Sequence, residues 1–244
     1  MSDSTTAIAF DLYGTLLSTA SVAEELTKMY GEEKAKTIAA QARRYQLEYT
    51  WRINSMGLYR SFSELTLASF RQATVEAGVD LTSAQEDQIM NAYNGLDVFP
   101  DVKDALQALA NTPSLDPYIF SNGTVSMITT SLATSPTLSG ARGTFPDSKV
   151  VSVESLQVFK PDKRTYDHLV KSVGKQADPG EVWLVTSNPF DVVGAVSAGL
   201  KAAWVDRTGL GWVDGLGDAL GSKPTVIVKG VDQVIEAITR QKAA

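Results

Sequence analysis

"AIAFDLYGTLL", residues Ala7 to Leu17, is the stretch on which the fold turns. An apolar run stops at one carboxylate, Asp11, and the chain then meets Tyr13, Gly14 and Thr15. A strand that breaks into a glycine-containing turn leaves its last side chain at the edge of a sheet, where ligands bind in open α/β folds. The same aspartate could do no more than cap the next turn. The rest of the chain has to decide between these.

Working outward, five more short β-rich runs end in polar or turn-forming residues: "PYIFSNG", "VVSVE", "VWLVTSN", "AAWVDR" and "TVIVKG". Helical patterns lie between most of them. "DVKDALQALA" places Val102, Ala105, Leu106 and Leu109 at the i, i+3, i+4, i+7 spacing of a half-buried helix, and "DVVGAVSAGL" and "VDQVIEAITR" repeat the pattern. Strands alternating with helices imply an α/β fold with a doubly wound, mostly parallel sheet, a Rossmann-like core. From about Thr19 to Leu96 the alternation stops, and the long amphipathic patterns there predict an inserted helical cap. The expected division is a core of residues 1–18 and 97–244 around a cap of residues 19–96, with Pro100 marking the return. The glycine-rich "RTGLGWVDGLGDALGSK" reads as a loop.

The 244 residues carry a formal charge of -6, which argues against a nucleic-acid partner, since such proteins show a basic patch or stripe. With no cysteine there is no thiolate nucleophile, disulfide or Cys-based metal site. The single histidine, His168 in "TYDHLVKSV", reads as a helix-surface residue rather than a triad base. The N-terminus lacks the pattern of a signal peptide and no run is long enough to span a membrane, so a soluble, cytoplasmic protein is expected.

Four strands stop in polar clusters: Asp11; Ser121, Asn122 and Gly123; Thr186, Ser187, Asn188 and Asp191; Asp206 and Arg207. In a parallel sheet these ends share one edge and face one crevice. Lys160 adds a cation, and Pro161 after it favours an extended backbone at the lysine.

Taken in order, "FDLYGTL", "SNG", "KPDKRTY" and "SN" followed by Asp191 resemble the haloacid dehalogenase superfamily, whose motifs supply a nucleophilic Asp, a Ser or Thr, a Lys and terminal acids. "RRYQLEYTWRINSMGLYRSF" is similar to the cap segment of the L-2-haloacid dehalogenases, and the resemblance runs from Ala7 to about Ile238. It implies that Asp11 attacks C2 of a haloacid to form an ester, which water then cleaves at the Asp11 carbonyl carbon. It also implies that Lys160 keeps Asp11 ionised, that Asp191 holds or deprotonates the water, and that Arg43 rather than the adjacent Arg44 takes up the halide. Asn122 resembles a second halide contact and Phe62 an apolar wall. The resemblance also places Leu47 beside the substrate's alkyl tail. Ser121 and the backbone beside Tyr13 resemble the carboxylate-binding side, with Thr15 and Tyr166 ordering Asp11 and Lys160. Tyr49 and Trp51 are read as helix packing rather than an aromatic substrate box.

The sequence departs from the pattern in places. Thr186 replaces a Ser and keeps its hydroxyl; Phe190 replaces a pocket Trp and loses the indole donor; Pro189 stiffens the turn that presents Asn188 and Asp191. Superfamily phosphatases carry a second Asp two residues after the nucleophile, where this chain has Tyr13, and an acid beside Asp191, where it has Phe190 and Val192. The expectation is therefore hydrolysis of L-2-haloalkanoic acids to D-2-hydroxyalkanoic acids with no metal and no cofactor. The partners would be the substrate and halide ion, with a homodimer as the assembly to test and neither nucleic acid nor membrane involved. Two alternatives stay open: a magnesium-dependent phosphatase of the same superfamily, and a non-catalytic small-acid binder.

Overall fold

Thr6–Asp11 forms β1, buried along its whole length, as a run flanked by strands on both sides and covered on both faces must be. The computed structural model describes residues 5–19 and 21–243. β2 (Leu115–Ser121), β3 (Val150–Ser152), β4 (Val182–Thr186), β5 (Lys201–Val205) and β6 (Val226–Val228) complete a six-stranded sheet in the order β3-β2-β1-β4-β5-β6, every pairing parallel. The order reverses at β1, which has β2 on one side and β4 on the other. Asp11, Ser121 and Thr186 are the last residues of those three strands, so the switch point carries all three at one edge.

Between β1 and the return of the chain at Val98 lie four helices with no intervening strand among the described residues: α1 (Ser21–Tyr30), α2 (Glu32–Ser55), α3 (Phe62–Glu76) and α4 (Ser83–Asn94). Capping boxes start the last two, Ser61 with Glu64 and Thr82 with Gln85, each satisfying two otherwise unpaired backbone donors. The chain leaves and re-enters the sheet layer side by side: Leu17 bridges Val98, Ser18 N–H donates to the Asp97 carbonyl at 2.7 Å, and Phe99 N–H donates to that of Leu16 at 3.0 Å.

The other helices are α5 (Val102–Ala110), α6 (Val125–Thr134), α7 (Pro136–Ser139), α8 (Lys163–Ser172), α9 (Pro189–Ser197), α10 (Gly215–Leu220) and α11 (Val234–Ala243). Pro189 is at the start of α9, where its missing N–H costs no helical bond. The glycine-rich stretch expected to be loop contains α10. Asp214 caps its start by accepting from Gly217 N–H at 2.6 Å, and Gly221, at φ +68°, ends it in the left-handed region. Two end signals thus outweighed a poor internal propensity. Among the described residues, no helix is long and apolar enough to cross a membrane.

Candidate active site

Asp11 stands at the end of β1, and its carboxylate is held on both oxygens. Oδ2 accepts from Thr15 Oγ1 at 2.8 Å, Thr186 Oγ1 at 3.3 Å and Asn188 Nδ2 at 2.6 Å; Oδ1 accepts from Lys160 Nζ at 3.1 Å. Charge-assisted bonds of this kind contribute about 1.5–3 kcal/mol each. Gly14, at φ +87°, makes the turn that sends Thr15 back under Asp11, and a side chain on Gly14 would crowd the Arg43 guanidinium at 3.3 Å.

Lys160 is fully buried and shared. Its ammonium also donates to Asp191 Oδ2 at 2.8 Å and to the Phe120 carbonyl at 3.0 Å, while its backbone N–H donates to Asn122 Oδ1 at 2.9 Å. Burial works against the ammonium, but the charges of Asp11 and Asp191 outweigh it and raise its pKa. For Asp191, burial dominates: the carboxyl is pushed up to about 6, with Asp11 adding to the effect and Lys160 and Tyr166 opposing it.

Tyr166 was expected beside Lys160 and the substrate. Its phenol instead donates to Asp191 Oδ1 at 2.7 Å from a fully buried position, behind the acid rather than on the cavity wall. Gly194 makes this possible, because a side chain there would occupy the space of the Tyr166 ring.

Arg43 arrives from α2. One nitrogen donates to the Tyr13 carbonyl at 3.1 Å and to Asn188 Oδ1 at 3.2 Å, the other to Gln46 Oε1 at 2.7 Å. Arg44 is exposed and lies over the Tyr45 ring, 5.3 Å from its centroid. The neighbouring arginines are therefore divided, one inward and one outward.

These groups enclose a cavity of about 10 Å³ lined by Asp11, Tyr13, Arg43, Leu47, Phe62, Ser121, Asn122, Lys160, Asn188 and Phe190. Such a volume is room for about one water. Of the fourteen residues singled out from the sequence, ten are therefore on the wall, while Thr15, Thr186, Asp191 and Tyr166 sit behind it and hold the first rank. Ser121 Oγ accepts from Gly123 N–H at 3.0 Å, tightening the turn after β2. Tyr49 packs as expected, stacked on Tyr45 and bonded to Gln72. Trp51 does not: it is 40% exposed and meets the edge of Phe190 at 5.5 Å, joining the helical segment to the first turn of α9. His168 is half-buried on α8 in a groove with Asp147 and Glu154, apart from this cavity.

Three supporting residues escaped the sequence reading. Gln46, buried, receives Arg43 and donates to Thr66 and Tyr93 at 2.7 and 3.0 Å. Arg207, noted only as a strand-end charge, donates to the Thr15 carbonyl at 2.8 Å and Ser187 Oγ at 3.0 Å, pairs with Asp101 and lies 3.8 Å from the Phe99 ring centroid. Asp101 is half-buried, which works against its carboxylate, but its bonds to Arg207 and Val231 N–H lower its pKa on balance. The polar pattern flagged Arg207; nothing in spacing pointed to its partners.

An acid, a lysine and a second acid converging at the switch point of a doubly wound sheet, under an arginine from a separate helical segment, define an α/β enzyme of the hydrolase class. A family model for haloacid dehalogenase-like hydrolases matches residues 5–199, and the chain belongs to that family. It is similar to haloacetate dehalogenase H-2 of Moraxella sp. (strain B), with 32% identity over 95% of this chain and 97% of that protein. It is also similar to an (S)-2-haloacid dehalogenase of Pseudomonas fluorescens, with 31% identity over 92% of each chain. Among solved structures, L-2-haloacid dehalogenase from Xanthobacter autotrophicus superposes with a TM-score of 0.82 at 28% identity, covering 96% of this chain and 98% of that one. The same enzyme with chloropropionic acid covalently bound superposes with a TM-score of 0.79.

Proposed function

We propose that this chain hydrolyses L-2-haloalkanoic acids to D-2-hydroxyalkanoic acids through an ester on Asp11, without a metal. The observation that carries the reading is the asymmetry of the Asp11 carboxylate. Oδ2 is engaged by Thr15, Thr186 and Asn188, whereas Oδ1 has Lys160 and retains lone pairs for attack. Oδ1 attacks C2 in line with the carbon–halogen bond, the halide leaves toward Arg43 and Asn122, and the C2 configuration inverts once. Ser121 and the backbone beside Tyr13 take the substrate carboxylate, and Leu47, Phe62 and Phe190 wall its alkyl part. Water, held or deprotonated by Asp191, then adds to the ester carbonyl carbon. The charge that develops falls on Oδ2, where three donors already point, an arrangement suited to an oxyanion; collapse then breaks the Cγ–Oδ1 bond, and the hydroxy acid leaves with Oδ1, its alkoxide taking the proton that Asp191 removed from the water.

Halide needs no proton to leave, which fits the lack of an acid at position 13. The Tyr13 phenol is buried beside Phe62 and Tyr93, and burial pushes its pKa above the usual range, making it a poor proton donor. A divalent cation would meet Lys160 between the two acids and the Arg43 guanidinium at the Tyr13 carbonyl. Residues 19–96 act as a cap on a core of 1–18 and 97–244, because a 10 Å³ cavity admits no haloacid until Arg43, Leu47 and Phe62 move away. The kinships reported above support the substrate class, and a cytoplasmic location and a homodimer belong to the same reading.

A single turnover in ¹⁸O-water with enzyme in excess tests the covalent route. The hydroxy acid is expected unlabelled, with the label in the Asp11 peptide. Labelled product with an unlabelled Asp11 peptide means that water attacks C2 directly.

A further inference from the structure

Asn54 lies near the end of α2, outside the lining of the cavity. Its side-chain amide pairs with both backbone groups of one residue in the other part of the molecule: Nδ2 donates to the Phe159 carbonyl at 2.7 Å, and Oδ1 accepts from Phe159 N–H at 3.0 Å. An asparagine amide is a peptide group in miniature, so it can stand in for a neighbouring strand here, where Phe159 belongs to no strand or helix. The Phe159 ring is gripped from the same side, stacked on Tyr59 at 5.6 Å and inclined to Phe62 at 6.1 Å. The next residue is Lys160, whose ammonium bridges Asp11 and Asp191.

We propose that Asn54 is a positioning residue that docks the helical segment on the Phe159 backbone, so that Lys160 is fixed against Asp11 when the segment is seated. The proposal rests on the dehalogenase reading above and adds a link between closure and the nucleophile. Arg43 senses closure from the halide side; Asn54 carries it to the lysine through one peptide bond. The two halves of the latch are unequal. The Phe159 carbonyl also accepts from Asp162 N–H at 3.1 Å, so release of Asn54 leaves that oxygen a partner, whereas the Phe159 N–H turns to water. A contact that is easily rehydrated can open and close in each turnover.

The test compares the full-length protein with Asn54→Ala and Asn54→Asp, using chloride release from L-2-chloropropionate, thermal melting, and hydrogen–deuterium exchange of the peptide spanning residues 157–162. Ala removes both bonds. Asp keeps the shape and the acceptor, but sets a carboxylate oxygen against the Phe159 carbonyl. A misplacement well under 1 Å predicts a fall in kcat of about tenfold for Ala and more for Asp, with KM within about twofold. Exchange at 157–162 should rise in both variants while the melting temperature stays within a few degrees. Asp matching the parent would reduce Asn54 to a space-filling role. Loss of activity that tracks loss of melting temperature, with exchange at 157–162 unchanged, would overturn the link to Lys160, as would faster exchange with unaltered kcat. If the parent itself releases no chloride from any haloacid, the dehalogenase reading fails, and the exchange measurement still decides whether Asn54 docks the segment.

Discussion

The two sides of the cavity are built differently. On the sheet side, Asp11, Thr15, Lys160, Thr186, Asn188 and Asp191 come from strand ends, the turns after β1 and β4, the loop before α8 and the first turn of α9, and form a continuous net of bonds between 2.6 and 3.3 Å. On the helical side, Arg43, Leu47 and Phe62 reach in from α2 and α3, and Arg43 and Asn54 make polar contacts to the sheet side. The first side is organised before any substrate arrives. The second is a set of contacts that can be broken and remade; on the proposed reading the covalent step belongs to the first wall, and the departing ion passes between Arg43 of the second and Asn122 of the first.

The largest expected effect lies on the rigid side. Asp11→Asn should lower halide release by at least about 10⁴-fold, because the amide is a weak nucleophile and the rest of the net cannot replace it. The variant should keep its fold, measured by circular dichroism. Substantial activity would remove Asp11 from the bond-making role. Across the cavity, Arg43→Ala should cost about 10² to 10³ in kcat, since charge on the halide develops mainly in the transition state, and Arg44→Ala less than about twofold. Equal losses from the two would erase the distinction between the inward and outward arginines.

A smaller effect probes the support behind the wall. Asp191 titrates near 6 in the folded protein against 3.8 ordinarily, so between those values the native state binds more protons than the unfolded one. Its contribution to stability therefore falls as pH rises from about 4 to about 6 and is constant above, while activity that needs the ionised acid rises through the same window. Tyr166→Phe removes a hydrogen bond that favours the carboxylate, and should move the acid limb of the kcat/KM profile to higher pH with a few-fold loss on the plateau. An unmoved limb would assign it to another group. The smallest effect expected is none: a chelator should leave the rate unchanged, and loss restored by magnesium would turn the reading toward the phosphatase.

The contrast between the two sides also governs what could be read from the sequence. Strands advertise themselves through short apolar runs with polar stops, so all six were visible, and the shared edge of a parallel sheet brought Asp11, Ser121 and Thr186 together on paper. Resemblance, not spacing, separated Arg43 from Arg44; the structure supplies the physical reason, since α2 turns one inward and the other to solvent. The resemblance set Tyr166 to order Lys160; its phenol meets instead the far oxygen of Asp191, the acid that holds that lysine, and no motif says which of two adjacent charges a buried hydroxyl meets. Asn54, Gln46 and Arg207 act through partners 105, 20 and 192 residues away, and no local pattern encodes such pairings.

The side-by-side crossing at Leu17 and Val98 has a consequence for how such a molecule can change over generations. The ends of the helical segment are already held together by the Ser18–Asp97 hydrogen bond, so its length hardly enters the entropy of closing it: each doubling adds only about 0.6 kcal/mol. Lineages can lengthen, shorten or exchange what lies between these two positions at little thermodynamic penalty to the sheet. New substrate preferences can then arise by recombination at one seam while the nucleophile stays in place.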